Sequence, residues 1–382
     1  MVLDILITLF LSLLVIFLFI KPACGFPKSF KYVLTAIIIF NAFFSCLYAV
    51  KKMTPADIGF SRGVTVFIEV LIYSGHFIAA FTFYRVIFVV LLKFFKFKNR
   101  LTDFLSLKNT LCAGIILILS TTISSVACLN GFAAPVIKNY DIEIKKLPDS
   151  ADGFTLVQLS DLHINAVTTK EEIEDIVTRT NALKPDLIVI TGDFLDGTIE
   201  DIGYLVKELF SLKAKFGLYA VPGNHEYFWG YRKWLDFLSE GGVIFLENRN
   251  SLIKNESGES LFNLAGVTDK ASLRYGEERP DRKKALKGID SNLPIIVMSH
   301  RPKYGKKFKK DADLILTGHT HGGMMPGLDL LAALGSGGLV HDLYELDRAS
   351  LIVSRGTRIN MAGPLRIFND PQIVKICLKT HR

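Results

Sequence analysis

The spacing of hydrophobic and polar residues changes near residue 130 and divides the chain into two parts. Ahead of that point, the apolar residues form four long runs, roughly Leu3–Ile20, Tyr32–Val50, Val64–Leu92 and Thr110–Leu129. Because about 20 helical residues cross the core of a bilayer, each run is long enough for a transmembrane helix. The first run alone could be a signal peptide, but its start lacks positive charge and three further runs follow. The pattern therefore predicts a four-helix transmembrane domain over residues 1–130 and a second domain over residues 131–382.

The third apolar run contains three ionisable residues, Glu69, His76 and Arg85. An ionisable residue in a membrane span is a functional candidate, because placing it in hydrocarbon is costly. Glu69 and Arg85 lie near the ends of the run and can reach the membrane interface, whereas His76 is central. For His76, both a packing role and a functional role are open.

Beyond residue 130, short apolar runs alternate with segments of helical spacing. The segment "VIKNYDIEIKKL" alternates hydrophobic and polar residues, which is typical of a β-strand. Five further runs are apolar and end in polar residues; they lie in "FTLVQLSDLHI", "LIVITGDF", "FGLYAVPGNHE", "PIIVMSH" and "DLILTGHTH". The segments "TTKEEIEDIVTRTNALKPD" and "YLVKELFSLK" have helical spacing, and the first begins with a threonine and is followed by a proline. This order of strands and helices predicts an α/β or mixed layered fold.

Charge separates the two parts of the chain as hydropathy does. The chain of 382 residues is 50% hydrophobic and has a formal net charge of +8. Residues 1–130 hold 12 basic and 4 acidic side chains, whereas the remaining residues hold 33 of each. This balance argues against nucleic acid as a partner of the second domain, because a nucleic-acid site normally has a basic excess. One local exception is "RPKYGKKFKK", residues 301–310, which is either a solvated face or a surface for acidic lipid headgroups or substrate.

The basic residues near the apolar runs predict the orientation of the protein, because cytoplasmic loops carry an excess of lysine and arginine. The loops after the first and third runs together carry eight such residues, and the loop between the second and third runs carries three. The side with eight is therefore expected to be cytoplasmic. With four spans, the protein is a multi-pass protein of the cell membrane, and its large C-terminal domain lies outside the cytoplasm. A cytoplasmic C-terminal domain is the alternative.

Each of the five apolar runs ends in residue types that bind metals. These residues are Asp161 and His163, Asp193, Asn224 and His225, His300, and His319 with His321. Five of the eight histidines in the chain lie at these tips, and solvated loop histidines would cluster in this way only by chance. Sheets in α/β proteins place reactive groups at strand ends. Imidazole, carboxylate and amide ligands suit Mn, Fe or Zn better than Ca, and a carboxylate between two such cations would offset their repulsion.

In their order and spacing, the blocks "SDLH", "TGDF", "GNHE", "MSH" and "GHTHGG" resemble the calcineurin-like metallophosphoesterase superfamily, over about Ile142 to Leu378. The sequence is most similar to the branch in which a membrane segment precedes the phosphoesterase domain. The resemblance implies a four-layer α/β/β/α sandwich of α+β or α/β class, preceded here by an all-α bundle of four transmembrane helices. It also implies two divalent transition-metal ions and a phosphoester substrate.

The resemblance implies a role for each residue of the five motifs. The implied ligands of the first metal are Asp161, His163 and His321. The implied ligands of the second metal are Asn224, His300 and His319. Asp193 would bridge the two. His225 would bind the phosphoryl oxygen and protonate the leaving group as a general acid, with Glu226 orienting its imidazole.

Departures from the family bear on the substrate. Met324 and Met325 form an apolar lip where glutamine is common, Arg358 stands where a small residue is common, and "DLLAALGSGGLV" is apolar. Together with a membrane segment, these features favour an amphiphile. We therefore expect a membrane-bound phosphoesterase that hydrolyses a phosphodiester, with a lipid or a lipid-linked diphosphate as the candidate substrate. A phosphomonoesterase and a non-catalytic membrane sensor are the alternatives, although a general acid such as His225 argues against the sensor.

Overall fold

The computed structural model describes residues 10, 12–13, 15–23, 25–51, 61–95, 100–360 and 364–381. The chain forms two compact units, Met1–Leu129 and Asn130–Arg382. Each unit has a hydrophobic core of its own. Much of the first apolar run lies outside the described residues, as do Lys52, Lys96 and Lys98 among the basic residues of the loops.

The N-terminal unit is built from helices. They are a π-helical turn at Val15–Ile20 followed by α1 (Lys28–Lys51), α2 (Arg62–Phe94), α3 (Arg100–Phe104) and α4 (Thr110–Gly131). Within the described residues, two helical segments are long and apolar enough to cross a membrane, Arg62–Leu92 and Thr110–Gly131. The structure thus supports two candidate spans, and the larger number of four remains a prediction.

Polar side chains of α2 bind backbone carbonyl groups of the same unit. The guanidinium of Arg85 donates to the carbonyl oxygens of Leu105, at 3.0 Å, and of Ser106. This contact ties α2 to the segment that precedes α4. The Nδ1 atom of His76 lies 2.8 Å from the carbonyl oxygen of Ile72, one turn earlier in the same helix. A bond within its own helix favours the packing interpretation of His76.

In the C-terminal unit, β-strands occur from near its beginning to near its end. They are β1 (Val136–Ile144), β2 (Thr155–Leu159), β3 (Ile164–Asn165), β4 (Leu187–Ile190), β5 (Leu195–Asp196), β6 (Leu218–Ala220), β7 (Val243–Phe245), β8 (Arg249–Lys254), β9 (Ser260–Gly266), β10 (Ile295–Met298), β11 (Leu314–Thr317), β12 (Asp342–Leu346), β13 (Ala349–Val353) and β14 (Gln372–Thr380). The predicted strand "VIKNYDIEIKKL" corresponds to β1.

These strands form two large sheets and one small sheet. The first large sheet has the order β1-β14-β2-β4-β6-β7, in which β2, β4, β6 and β7 are parallel neighbours. The second has the order β12-β13-β11-β10-β9-β8, in which the four central strands are parallel and the two edge strands are antiparallel to them. Strands β3 and β5 pair in parallel by themselves.

Helices cover the outer faces of the two large sheets. The α-helices of this unit are α5 (Lys170–Ala182), α6 (Ile199–Val206), α7 (His225–Phe228), α8 (Tyr231–Glu240), α9 (Arg282–Ala285), α10 (Pro302–Gly305) and α11 (Leu328–Ser336). Helix α5 begins at the predicted threonine: the side chain of Thr169 accepts the N–H of Glu172, and the carboxylate of Glu172 accepts the N–H of Thr169. These reciprocal bonds satisfy two N–H groups that have no partner inside the helix.

Successive residues of the central strands pack on opposite faces. Leu156 of β2 and Leu316 of β11 lie in the core between the two large sheets. Val157 of β2 packs under helices on the outer face of the first sheet, and Val297 of β10 packs on the outer face of the second. Burial on both faces explains why these strands are continuous apolar runs instead of alternating ones. The result is a four-layer α/β/β/α sandwich, as the resemblance implied.

Candidate metal centre

The carboxyl ends of five parallel strands meet at one edge of the sandwich. The loops after β2, β4 and β6 of the first sheet, and after β10 and β11 of the second, carry the five sequence motifs. The structure brings together the side chains that the sequence analysis singled out. They are Asp161, His163, Asp193, Asn224, His225, Glu226, His300, His319 and His321.

Five of the candidate ligands in these loops have positive φ angles, a conformation that L-residues adopt rarely. They are Asp161 (53°), His163 (43°), Asp193 (55°), His319 (73°) and His321 (49°). Such conformations persist only where surrounding contacts hold them, and they concentrate at functional sites. All five residues are among the predicted metal ligands.

Two glycines allow the loops to approach each other closely. A Cβ atom on Gly318 would lie 2.3 Å from Oδ2 of Asp161, and a Cβ atom on Gly223 would lie 2.1 Å from Oδ1 of Asp193. Both distances are shorter than any real contact of this kind, so a side chain at either position would displace a carboxylate. The first glycines of "GHTHGG" and "GNHE" are therefore required by the packing of the acidic side chains.

One cluster consists of Asp161, His163 and His321. The Nε2 atoms of the two histidines lie 3.1 Å apart. The Oδ1 atom of Asp161 lies 3.9 Å from Nε2 of His163 and 3.5 Å from Nε2 of His321. Donor atoms that face one another at these distances can converge on a single cation.

A second cluster consists of Asp193, His300 and His319, with Asn224 beside it. The Nε2 atom of His300 lies 3.0 Å from Nδ1 of His319 and 3.3 Å from Oδ1 of Asn224. The Oδ2 atom of Asp193 lies 3.1 Å from Nε2 of His300 and 3.7 Å from Nε2 of His163, in the first cluster. One carboxylate oxygen of Asp193 therefore lies between the two clusters, as a bridging ligand must.

The protonation states of His319, His321 and Asp193 fit metal binding, whereas the pKa values of two other candidate ligands shift the opposite way. Burial opposes protonation of His300, but Asp193 outweighs it and raises the pKa to about 9, and burial raises the pKa of Asp161. Burial lowers the pKa of His319 and of His321 well below the usual value, so both imidazoles are neutral, which is the form that binds cations. Burial also opposes ionisation of Asp193, but His300 and His225 outweigh it and hold the pKa of this carboxyl well below its usual range. Imidazoles, carboxylates and an amide form a donor set that suits Mn, Fe or Zn.

The imidazole of His225 lies beside the clusters and is held by a carboxylate. Its Nδ1 atom contacts Oδ1 of Asp196, and its backbone N–H donates to Oδ1 of Asp193 at 2.9 Å. Burial opposes protonation of His225, but Asp196 and Asp193 outweigh it and raise the pKa to about 10. The Nε2 atom lies 4.0 Å from Oδ2 of Asp193, so the geometry permits a ligand role as well as the predicted role of a proton donor.

The contacts of Glu226 differ from the predicted contact with the imidazole of His225. Its carboxylate accepts the backbone N–H groups of Asp193 at 3.2 Å, Phe194 at 2.6 Å and Gly223 at 2.6 Å. Burial and the nearby Asp193 raise the pKa of Glu226 to about 7. The side chain thus joins the "TGDF" and "GNHE" loops, and the hydrogen bond that orients the imidazole of His225 comes from Asp196 instead.

Asp196 was not identified from the sequence. It lies in β5, and the pairing of β5 with β3 brings it beside the loop that carries His163. Its Oδ2 atom lies 2.9 Å from Nδ1 of His163, while Oδ1 contacts His225. The second acidic residue of "GDFLDG", three positions after Asp193, was the available signal for it.

Arg358 is buried behind the loop of His163. The sequence had linked this residue to the substrate, because a small residue is common at its position in the family. Its Nη1 atom donates to the carbonyl oxygen of Leu162 at 3.2 Å and to Oγ1 of Thr168 at 2.8 Å. Its Nη2 atom pairs with the carboxylate of Glu172 at 3.0 Å. Arg358 therefore fixes this loop to the first turn of α5, which is a structural role.

Residues 154–323 match the family model described as calcineurin-like phosphoesterase. A metallophosphoesterase from Aquifex aeolicus is 31% identical over 255 residues, which cover 64% of this chain and 91% of that protein. The chain belongs to the calcineurin-like metallophosphoesterase family. This metallophosphoesterase is accordingly a hydrolase of phosphoric esters, and the resemblance seen in the five motifs is confirmed.

Two further relatives of this metallophosphoesterase have longer alignments. A transmembrane protein with metallophosphoesterase domain from Danio rerio is 31% identical over 273 residues, 69% of this chain and 62% of that protein, so less than two thirds of that relative is matched. A metallophosphoesterase from Helicobacter pylori is 32% identical over 302 residues, 77% of this chain and 79% of that protein. Because the C-terminal unit makes up about two thirds of this chain, the latter alignment continues into the N-terminal unit.

Proposed function

We propose that this metallophosphoesterase is a membrane-bound phosphodiesterase that uses two divalent transition-metal ions and acts on a phospholipid or a lipid-linked diphosphate. Residues 1–130 form its membrane domain and residues 131–382 its catalytic domain. The observation that carries the proposal is the placement of two adjacent ligand clusters beside one imidazole, that of His225, whose Nδ1 atom is already bound by a carboxylate.

The two clusters would hold one cation each. Asp161, His163 and His321 would bind the first cation. Asn224, His300 and His319 would bind the second, and the carboxylate of Asp193 would be shared. Mn, Fe and Zn are the candidates for this donor set. When bound, such ions lower the pKa of water and stabilise charge on the phosphoryl oxygens.

His225 supplies the proton that the leaving group takes up. Because its Nδ1–H donates to Asp196, the imidazole presents Nε2 to the phosphoryl group, and the carboxylate stabilises the protonated ring. The bond between the backbone N–H of His225 and Asp193 fixes the ring relative to the clusters. Proton transfer by a side chain positioned in this way typically contributes about 10²–10⁴-fold.

An exposed apolar surface on α11 supports an amphiphilic substrate. Leu330, Leu331 and Leu334 are 70%, 64% and 80% exposed. The helix follows the loop of His321 closely, and the carbonyl of Met325 in that loop accepts the N–H of Leu328. Exposed leucines grouped beside a catalytic site indicate contact with acyl chains or with a membrane surface. A small water-soluble phosphoester would make no use of them.

We also propose that the N-terminal domain crosses the membrane four times and leaves the catalytic domain outside the cytoplasm. The two apolar helices of the described part support membrane association, and so does the name of the Danio rerio relative. The orientation rests on the excess of lysine and arginine in the loops after the first and third apolar runs.

The catalytic proposal is tested with the full-length protein in detergent, loaded with Mn. We expect faster hydrolysis of bis(p-nitrophenyl) phosphate than of p-nitrophenyl phosphate. A preference for the second substrate would make the protein a phosphomonoesterase. Bound metal without hydrolysis of either substrate would favour a sensor that uses the same fold.

The lipid part has a separate test. Leu330→Ser combined with Leu334→Ser should lower the ratio of the rate on dioleoyl phosphatidylglycerol in mixed micelles to the rate on bis(p-nitrophenyl) phosphate. Leu252→Ser is the matched control, because Leu252 is a partly exposed leucine on β8, outside α11. An unchanged ratio in the α11 variant would contradict a role for this helix in lipid recognition.

A further inference from the structure

A cavity of about 1250 Å³ adjoins the second ligand cluster. His319 and Thr320 form part of its wall on the side of the cluster, and Ala332 and Ser336 of α11 form another part. Seven of the other thirteen lining residues are basic. The cationic residues that line it are Lys270, Arg279, Arg282, Lys283, Arg301, Lys303 and Lys307.

The positive charge of this cavity is largely uncompensated. Asp281 is its one acidic lining residue, and that carboxylate accepts the backbone N–H groups that begin α9. Arg301 pairs with Asp269 and Arg282 pairs with Asp311. Among the described residues, the other five cations have no carboxylate within 4.0 Å: Lys270, Arg279, Lys283, Lys303 and Lys307. Charges of one sign that converge on a concave surface raise the local concentration of ligands of the opposite sign.

Arg301 connects the cavity to the second cluster. Its Nη2 atom donates to Oδ1 of Asn224 at 2.9 Å, and its Nη1 atom lies 2.7 Å from Nε2 of His319. Its Nε atom donates to Asp269 at 2.8 Å, which holds the guanidinium in place. A planar guanidinium matches the geometry of a phosphate group, so this side chain can contact an anion that extends from the cluster into the cavity.

The side chains of the basic stretch, residues 301–310, lie on two different surfaces. Arg301, Lys303 and Lys307 line the cavity, whereas Lys309 pairs with Asp347. Lys310 is exposed and does not line the cavity. The stretch is therefore not uniform: one side of it contributes to a binding surface and the other is an ordinary solvated face.

We infer that this cavity binds a second anionic group of the substrate. The preferred substrate accordingly carries a phosphate, or another acidic group, in addition to the phosphodiester that is cleaved. The inference rests on the proposed phosphodiesterase activity and adds the chemical class of substrate that the site selects. Arg301 and the five cations without a carboxylate partner are the residues that determine this specificity.

The test compares two esters that differ by one phosphate. Thymidine 5′-(p-nitrophenyl phosphate) and its 3′-phosphorylated form share the scissile bond and the leaving group. With the Mn-loaded full-length protein, we expect the 3′-phosphate to raise kcat/KM about tenfold, the effect of one charge-assisted contact. Failure to hydrolyse either ester contradicts the proposed function itself, whereas hydrolysis of the 3′-phosphorylated ester alone supports both proposals. Hydrolysis of both esters at equal kcat/KM contradicts only the second anion site.

Variants then locate the effect. Lys303→Gln and Arg279→Gln should each reduce the preference for the 3′-phosphorylated ester several-fold. Lys310→Gln is the matched control, because it removes a lysine of the same stretch that lies outside the cavity, and it should keep the preference. A preference that survives in both cavity variants would overturn the assignment.

Two competitors separate a lipid headgroup from a soluble phosphate. Dioleoyl phosphatidic acid and glycerol 3-phosphate are compared, in the same detergent, as inhibitors of the hydrolysis of the 3′-phosphorylated ester. Stronger inhibition by the lipid that is weakened in Lys303→Gln assigns the cavity to a lipid headgroup. Equal inhibition that is weakened in this variant assigns it to soluble phosphate esters. Inhibition that Lys303→Gln leaves unchanged contradicts binding in the cavity.

Discussion

The carboxylate of Asp196 binds the Nδ1 atom of His225. Its second oxygen lies 2.9 Å from Nδ1 of His163, which the sequence predicts to be a metal ligand. One acidic side chain thus orients the proposed proton donor and a proposed ligand together. Because both imidazoles direct Nδ1 toward Asp196, both present Nε2 to the centre.

Replacing Asp196 by asparagine preserves the shape of the side chain and removes its charge. We expect Asp196→Asn to lower kcat for an alkyl phosphodiester about 10²-fold, because His225 loses the carboxylate that keeps it protonated. The loss should be smaller for nitrophenyl esters, since nitrophenolate departs without a proton. Rates with a series of leaving groups make the measurement. An equal loss for all leaving groups would assign the effect to His163.

His225→Ala should lower kcat by about 10²–10⁴-fold and leave the metal content unchanged, because the imidazole donates a proton in this mechanism. His319→Ala should lose metal and activity together. Elemental analysis beside steady-state kinetics distinguishes the two variants. If His225→Ala lost a metal ion, His225 would be a ligand, as its distance of 4.0 Å from Asp193 also permits.

Asp193→Asn should lose metal from both clusters, because Oδ2 of Asp193 lies between His163 and His300. The unmodified protein loaded with Mn should contain about two equivalents. A chelator should remove them and abolish hydrolysis, and added Mn should restore it. Retention of both ions in Asp193→Asn would show that this carboxylate does not bridge.

Arg358→Ala should destabilise the catalytic domain by about 3 kcal/mol, because it removes a buried guanidinium and leaves Glu172 and two loop acceptors without it. The change should appear as a lower Tm of the detergent-solubilised protein. Arg348→Ala is the control, since Arg348 forms an exposed pair with Asp313, and its cost should stay below about 1 kcal/mol. The affinity for Mn should also fall in Arg358→Ala, because the loop of His163 loses its support. Unchanged affinity would mean that the loop keeps its shape without Arg358.

A reporter fused to the C-terminus should reveal the orientation of the catalytic domain. With eight basic residues on one side of the apolar runs and three on the other, we expect alkaline phosphatase to be active in such a fusion. A green fluorescent protein fused at the same place should be dark if the fusion crosses the membrane unfolded. The opposite pair of results would place the catalytic domain in the cytoplasm.

The central strands could be predicted from the sequence because both of their faces are buried. Leu156 and Val157 pack on opposite sides of β2, so apolar side chains are buried on both of its faces. The buried exception is Gln158, whose amide donates to Thr191 and to the carbonyl of Thr317. The carboxylate and imidazole side chains of the motifs follow these runs, at the strand ends. For this reason the motifs identified the members of both ligand clusters without knowledge of the order of the strands.

Other contacts could not be predicted, because only the folded chain brings the two residues together. Strands β3 and β5 have two residues each, which is too short for any hydrophobic pattern, yet their pairing places Asp196 beside His163. Arg301 and Asn224 meet across 77 positions of the chain. Glu226 was assigned to an imidazole because of its position next to His225, whereas the length of its side chain carries the carboxylate to three backbone N–H groups.

The five residues with left-handed backbone have a consequence for how the enzyme matures. Each such conformation costs about 1–3 kcal/mol, and Asp161 and Asp193 are buried acidic groups as well. Cations that bind this edge more tightly than they bind the unfolded chain stabilise the folded edge by mass action. A newly synthesised chain would therefore complete its catalytic edge only on capturing metal. The supply of metal in its compartment would then set how much enzyme accumulates and how long it resists proteolysis.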